Sequence, residues 1–182
     1  NTMSVVLALG LVCVLVVTAA FSVYYYSSME SDMRYRARTT TEFFADYQNQ
    51  SYNQYYRSCI TYAQTFEDKS KLELQFINAQ GKIVASSHGT WAGESPTTSD
   101  ITDAMTYRTI KHYFGTNPQT GERILAVSSP MIYSNGEVIG VLRYVTSTRL
   151  MDRQLVQIAA LALLLLSFRQ MNARTLPLTT LE

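Results

Sequence analysis

The first charged side chain in the chain is Glu30, and ahead of it residues 3–23 read MSVVLALGLVCVLVVTAAFSV without interruption. As a helix rising about 1.5 Å per residue, such a run spans roughly 30 Å, the thickness of a bilayer's hydrocarbon core. Tyr24, Tyr25 and Tyr26 follow at once, where an aromatic belt meets the headgroups. The run outlasts the apolar core of a cleaved leader and lacks a basic flank before it, so it predicts an uncleaved transmembrane helix over 3–23. A second apolar run, LVQIAALALLLLSF over 155–168, is short for a span, about 21 Å as a helix. Its LALLLL cluster has no obvious apolar partner in the chain, so the expectation is a second, short transmembrane helix rather than a buried amphipathic one. Arg169 and Arg174 behind it place residues 169–182 in the cytoplasm and the middle of the chain outside it.

Between these runs the pattern changes twice. From Ser27 to Phe66 there is neither Gly nor Pro. Tyr56, Cys59, Ile60, Ala63 and Phe66 recur at helical spacing, with Phe43, Phe44 and Tyr47 as an earlier stripe, which predicts one long helix. Beyond it, alternation at 72–78, a Gly-containing turn at 79–82 and a run at 83–87 predict a hairpin. Ser99-Asp-Ile-Thr-Asp103 has the form of a helix N-cap, with Asp100 and Asp103 read as cap and solvated face, so a short helix follows. Strands are expected at 109–114, 123–133 and 138–147, the last two joined by the tight turn Ser134-Asn-Gly-Glu137. The fold class is α+β: a long N-terminal helix packed with the other helices on one face of a five-stranded antiparallel sheet, the whole flanked by two transmembrane helices. The boundaries are 3–23, 27–153, 155–168 and 169–182.

Composition sharpens this picture. The mean hydropathy of −0.04 and net charge of +1 are averages over unlike parts. Residues 30–154 hold 13 acidic and 13 basic side chains, while the last 28 residues hold only Arg169, Arg174 and Glu182. A neutral middle gives nucleic acid no electrostatic footprint. Cys13 and Cys59 cannot make a disulfide framework or a zinc site. His88 and His112 sit in no nucleophile–base motif, Ser128-Ser129 lacks a G-x-S-x-G context, and no Walker loop or dinucleotide fingerprint occurs. No catalysis and no cofactor are expected of these 182 residues.

Two stretches resemble a known family. Leu74-Gln-Phe-Ile-Asn-Ala-Gln-Gly-Lys-Ile-Val-Ala-Ser-Ser87 and Leu125-Ala-Val-Ser-Ser-Pro-Met-Ile-Tyr-Ser-Asn-Gly-Glu-Val-Ile-Gly-Val-Leu-Arg-Tyr144 look like the extracytoplasmic PAS-like (Cache, or PDC) sensor domains of bacterial sensor histidine kinases. Pro177-Leu-Thr-Thr-Leu-Glu182 is similar to the opening of a HAMP signalling helix. The aromatic and Met stripe of the long helix, with Met33, Phe44 and Tyr47 as expected contacts, predicts a parallel homodimer through that helix. The resemblance implies a two-pass plasma-membrane protein and a signal passed to a cytoplasmic response regulator by kinase domains outside this sequence. Alternatives are the sensor module of a chemoreceptor or nucleotide cyclase, or a pilin-like structural subunit. It also implies a pocket between the sheet and the loop with the short helix, for an organic anion or amino acid. The matching region offers Trp91, Arg108, Lys111, His112, Tyr113, Ser128 and Arg143. Strand alternation is expected to put Arg108 and His112 on one face of the third strand, Lys111 and Tyr113 on the other. Arg143 lies between Val141 and Val145 and so needs a carboxylate of the protein or a bound anion.

Overall fold

The Gly- and Pro-free stretch folds as two helices rather than one. In the computed structural model, which describes residues 2–46, 51–89 and 93–175, α1 runs Thr2–Ala45 and α2 runs Tyr52–Thr65. Ser51, the residue before α2, makes a capping box with Gln54, a start signal in mid-stretch that apolar periodicity alone does not reveal. The remaining elements are β1 (Glu73–Asn78), β2 (Ile83–Ser86), α3 (Ser99–Tyr107), β3 (Lys111–Thr116), β4 (Arg123–Ile132), β5 (Val138–Ser147) and α4 (Arg149–Thr175). The HAMP-like residues 177–182, Tyr47 and Trp91 lie outside the described residues.

The chain divides into two units. One comprises residues 28–149 and is built on an antiparallel sheet of order β2-β1-β5-β4-β3. The β4–β5 turn forms as expected: Gly136 takes a positive φ of 83°, and the side chain of Asn135 accepts from the backbone of Glu137 at 2.9 Å. In the middle of the sheet, a Cβ at Gly140 would lie 2.2 Å from the carbonyl oxygen of Ile77, so only glycine fits there.

One face of the sheet carries Leu74, Phe76, Leu125, Val127, Met131, Leu142 and Tyr144. It is covered by Met33, Ala37, Thr40 and Phe44, spaced four, three and four apart along α1. The Phe44 ring meets those of Phe76 at 4.9 Å and Tyr62 at 5.3 Å, both in edge contacts that add roughly 0.5–1.5 kcal/mol each beyond burial. Thr40 Oγ1 and the Tyr144 hydroxyl share a hydrogen bond of 3.0 Å. From α2, Cys59 and Ala63 close the same core. Met33 and Phe44 are thus buried inside the protomer, correcting the expectation that they face a partner subunit, while Phe43 is half-exposed.

The other face is covered too, by α3, whose Ile101 and Ala104 pack on Ile77, Ile83 and Val141. Helices therefore lie on both faces of the sheet, correcting the one-faced arrangement expected above. The reason is that nine residues with Asp100, Ile101 and Ala104 on one side make an amphipathic helix that needs a surface of its own.

The second unit comprises the described parts of 1–27 and 150–182. Its two helices expose Val5, Leu9 and Val16 on α1 and Val156, Leu161 and Leu165 on α4. The Tyr26 hydroxyl donates to the Asp152 carboxylate. Among the described residues, one helix is long and apolar enough to cross a membrane, in the stretch beginning at Ala8 of α1.

Burial pushes the Cys59 thiol up from 9.0 to about 12, and the Tyr144 phenol up from 10.0 to about 12 against the opposing pull of its Thr40 hydrogen bond. Between about pH 9 and 12 the unfolded chain gives up protons that the folded chain keeps, so stability is full below 9 and falls as pH rises through that window. Thermal melts from pH 8 to 11.5 should show this decline, with a shallower slope in Cys59→Ala.

Candidate functional site

Antiparallel register sets side chains of facing strands into rows across a sheet. In this sheet Ser86 pairs with Gln75, Gln75 with Arg143, Arg143 with Ser128, and Ser128 with Lys111. One uninterrupted polar row therefore crosses all five strands on the α3 face. On one side of it lies the apolar patch of Ile77 and Val141, on which α3 rests.

Arg143, on the central strand, is almost wholly buried, and its guanidinium is held at three nitrogens. Nε donates to Asp100 Oδ2 at 2.8 Å, one terminal nitrogen to Gln75 Oε1 at 3.0 Å and the other to Thr98 Oγ1 at 2.7 Å. Asp100, in the first turn of α3, is fully buried and its Oδ2 also accepts from the Ser128 hydroxyl at 2.7 Å. Of the two partners the sequence allowed for Arg143, the structure supplies the protein's own carboxylate. The row continues outward: Gln75 Nε2 and the Ser86 hydroxyl both donate to Glu73 Oε1, at 2.9 and 2.8 Å, and His88 lies 3.8 Å from the other oxygen of Glu73.

This overturns the reading of Asp100 as part of a cap or solvated face. The N-cap of α3 is Thr98, whose side chain makes no capping bond because it serves Arg143 instead. One signal for Asp100 was present: it shares a helix face with Ala104, four residues on, and adjoins Ile101. Gln75 and Thr98 were likewise missed, since each reads by itself as an ordinary strand or loop polar residue.

The structure divides the candidates among four places. Ser128 and Arg143 belong to the buried network. Lys111 lies on the same face with its ammonium 4.5 Å above the Tyr107 ring, and the Tyr113 hydroxyl donates to the Thr116 carbonyl at 2.8 Å. His112 is on the opposite face, exposed, with Nδ1 2.8 Å from a terminal nitrogen of Arg34 and 3.2 Å from Glu30 Oε1. Arg108 is not on β3 at all, correcting the expected pairing with His112. It ends α3 in a left-handed conformation, φ 53°, the only positive φ outside glycine among the described residues. The strand begins three residues later than Arg108, because α3 must close before β3 can join the sheet.

This combination, an N-terminal helix across one face of a 2-1-5-4-3 antiparallel sheet and a short helix on the other, is the fold of a Cache (PDC-type) sensor domain. Residues 61–146 match the family model described as the WalK sensor protein kinase Cache domain. Among solved structures, the sensor domain of the V. cholerae histidine kinase DctB is similar with TM-score 0.55 and 15% identity, over 81% of this chain and 58% of that one. The extracellular domain described as that of the histidine kinase mmHK1S-Z2 gives TM-score 0.52 and 12% identity over 71% and 57%. The ligand-binding domain of the Pseudomonas aeruginosa PAO1 amino-acid chemoreceptor PctC, in complex with GABA, gives 0.46 and 18% over 87% and 64%. The chain thus spans less than two thirds of the length of each of these relatives. No curated protein sequence matches it.

Removing one partner of a buried ion pair strands the other charge in a low-dielectric interior. Asp100→Ala or Arg143→Met alone should each lower unfolding free energy by about 3–5 kcal/mol, and the Asp100→Leu/Arg143→Met pair should cost less than the two single changes together. Denaturant melts of the four proteins check this.

Proposed function

We propose that this chain is the stimulus-receiving and membrane-anchoring region of a two-component sensor histidine kinase, its Cache domain outside the cytoplasm. The observation that carries the reading is the match of residues 61–146 to the Cache domain of a sensor kinase, in a chain where that segment is followed by a second apolar helix and preceded by a first. The apolar side chains that α1 and α4 turn outward need a nonaqueous covering, and lipid supplies it for helices of this composition. On this reading residues 155–168 form the second span and residues 169–182 open a HAMP-like segment. The phosphoaccepting and ATP-binding parts that would serve a response regulator belong to other segments of the full protein.

A small organic anion or amino acid would reach the α3 face, and a stimulus acts only through a difference in its affinity for two states of the domain. A change in how α3 sits on the sheet is the smallest rearrangement that such a ligand could select. Alkaline phosphatase fused after Thr116 should be active in a bacterial host and fused after Thr175 inactive. Activity of both fusions would remove the second span. A chimera carrying residues 1–182 on a kinase output should respond to an added stimulus; response only from a chemoreceptor output would move the chain to that class.

A homodimer through α1 would use the side its own sheet leaves open, where Ser31, Tyr35, Arg38 and Glu42 follow one another at helical spacing and are exposed. A cysteine at Tyr35 should crosslink two protomers, whereas one at Met33 should not, because Met33 is buried in its own core. Absence of a crosslink at Tyr35 and at its neighbours Arg38 and Glu42 would count against the dimer.

A further inference from the structure

The central cation of the α3 face is already saturated from within. Asp100 Oδ2 takes a hydrogen bond from Arg143 Nε and another from the Ser128 hydroxyl, both below 3 Å. Two converging donors of this kind, one of them cationic, are what a carboxylate oxygen requires of a binding site. The donors stand on the rigid central strands β4 and β5, while the carboxylate arrives from α3 across the interface. Its second oxygen, Oδ1, is buried and among the described residues has no hydrogen-bond partner. A carboxylate optimised purely for holding α3 in place would have both oxygens satisfied. Thr98 and Gln75 hold the two terminal nitrogens of Arg143, so the guanidinium keeps its orientation when the Asp100 carboxylate alone is removed.

We propose that Arg143 and Ser128 form a carboxylate-binding site on the sheet whose occupant in this structure is the chain's own Asp100, a tethered pseudo-ligand. Because the competitor is attached, its effective concentration at the site is in the millimolar range or above, and a free monocarboxylate does not displace it. A carboxylate ligand gains access only when the first turn of α3 leaves, so occupation of Arg143 from outside and departure of α3 are one event. This goes beyond the sensor reading and rests on it only for its physiological sense, since an anion site in the folded domain exists whether or not a kinase follows.

Formate is the group that Asp100 loses on truncation to alanine, and it is the probe for the test. The full 182-residue chain in detergent micelles is melted in sodium formate and in sodium chloride of equal concentration. Wild type should show no difference between the two salts. Asp100→Ala should melt about 5 °C higher in saturating formate than in chloride, with a saturable dependence on concentration. Asp100→Ala/Arg143→Met should show no difference. No formate-specific shift in Asp100→Ala, or an equal shift in the double variant, overturns the proposal. Should Asp100→Ala not fold in chloride, its refolding yield in formate reads the same site. Recovery in formate alone, or a formate shift in the milder Asp100→Ser, supports the proposal, and failure of both overturns it. Loss of the formate effect with the fusion topology and chimera response intact strikes this inference alone. The converse result strikes the sensor reading alone.

Discussion

A guanidinium on the central strand of a sheet, covered by a helix, imposes conditions on everything around it. The charge of Arg143 cannot be left in a low-dielectric interior without a counter-charge, and its N–H groups cannot be left without acceptors. Those demands determine where α3 begins, which side of it faces the sheet, and why Thr98 is not a conventional cap. They also explain why the row that crosses β2, β1, β5, β4 and β3 is polar at every position, with an apolar patch beside it. Apolar contacts of Ile101 and Ala104 hold α3 down, but the ion pair fixes its rotation and register. The net contribution of such a pair to stability is small compared with the cost of breaking it, so its use here is specification.

The two faces of the sheet divide their tasks. The α1–α2 face is a conventional aromatic and aliphatic core, centred on Phe44, Phe76, Tyr62 and Tyr144, with no buried ion pair among the described residues. The α3 face contains the buried charges and the unsatisfied carboxylate oxygen. The first face stabilises the domain, and the second holds the groups whose arrangement a small polar molecule could alter. His112, separated from Arg143 by the sheet itself, joins Glu30 and Arg34 of α1 instead, and has no route to the α3 side.

The strands and their turns were legible because their signals are local. Alternation, the Asn-Gly turn and the Gly81 turn fixed four of the five strands to within a residue or so at each end. The break between α1 and α2 was not, because the capping box at Ser51 and Gln54 sits within a run that lacks both Gly and Pro. Arg108 was misplaced by extending the strand pattern backward through a residue that instead closes α3 with a positive φ. That Arg143 needs a partner could be read from its apolar neighbours, but which partner could not, because Asp100 is 43 positions away. The family resemblance in the two hairpins led to the Cache fold, whereas the composition of the site depended on a cross-strand register that no local pattern encodes.

Gly140 has a consequence for how this domain can diversify. The approach of Ile77's carbonyl leaves no volume for any side chain, so the position is closed to every residue but glycine. Ser128 lies three residues from Met131, the cross-strand partner of Gly140, and is held by its side-chain hydrogen bond to Asp100 rather than by a main-chain approach. Along the polar row that crosses all five strands the constraint is of another kind, set by side-chain partners that a second substitution can replace, whereas at Gly140 the main chain itself excludes every side chain.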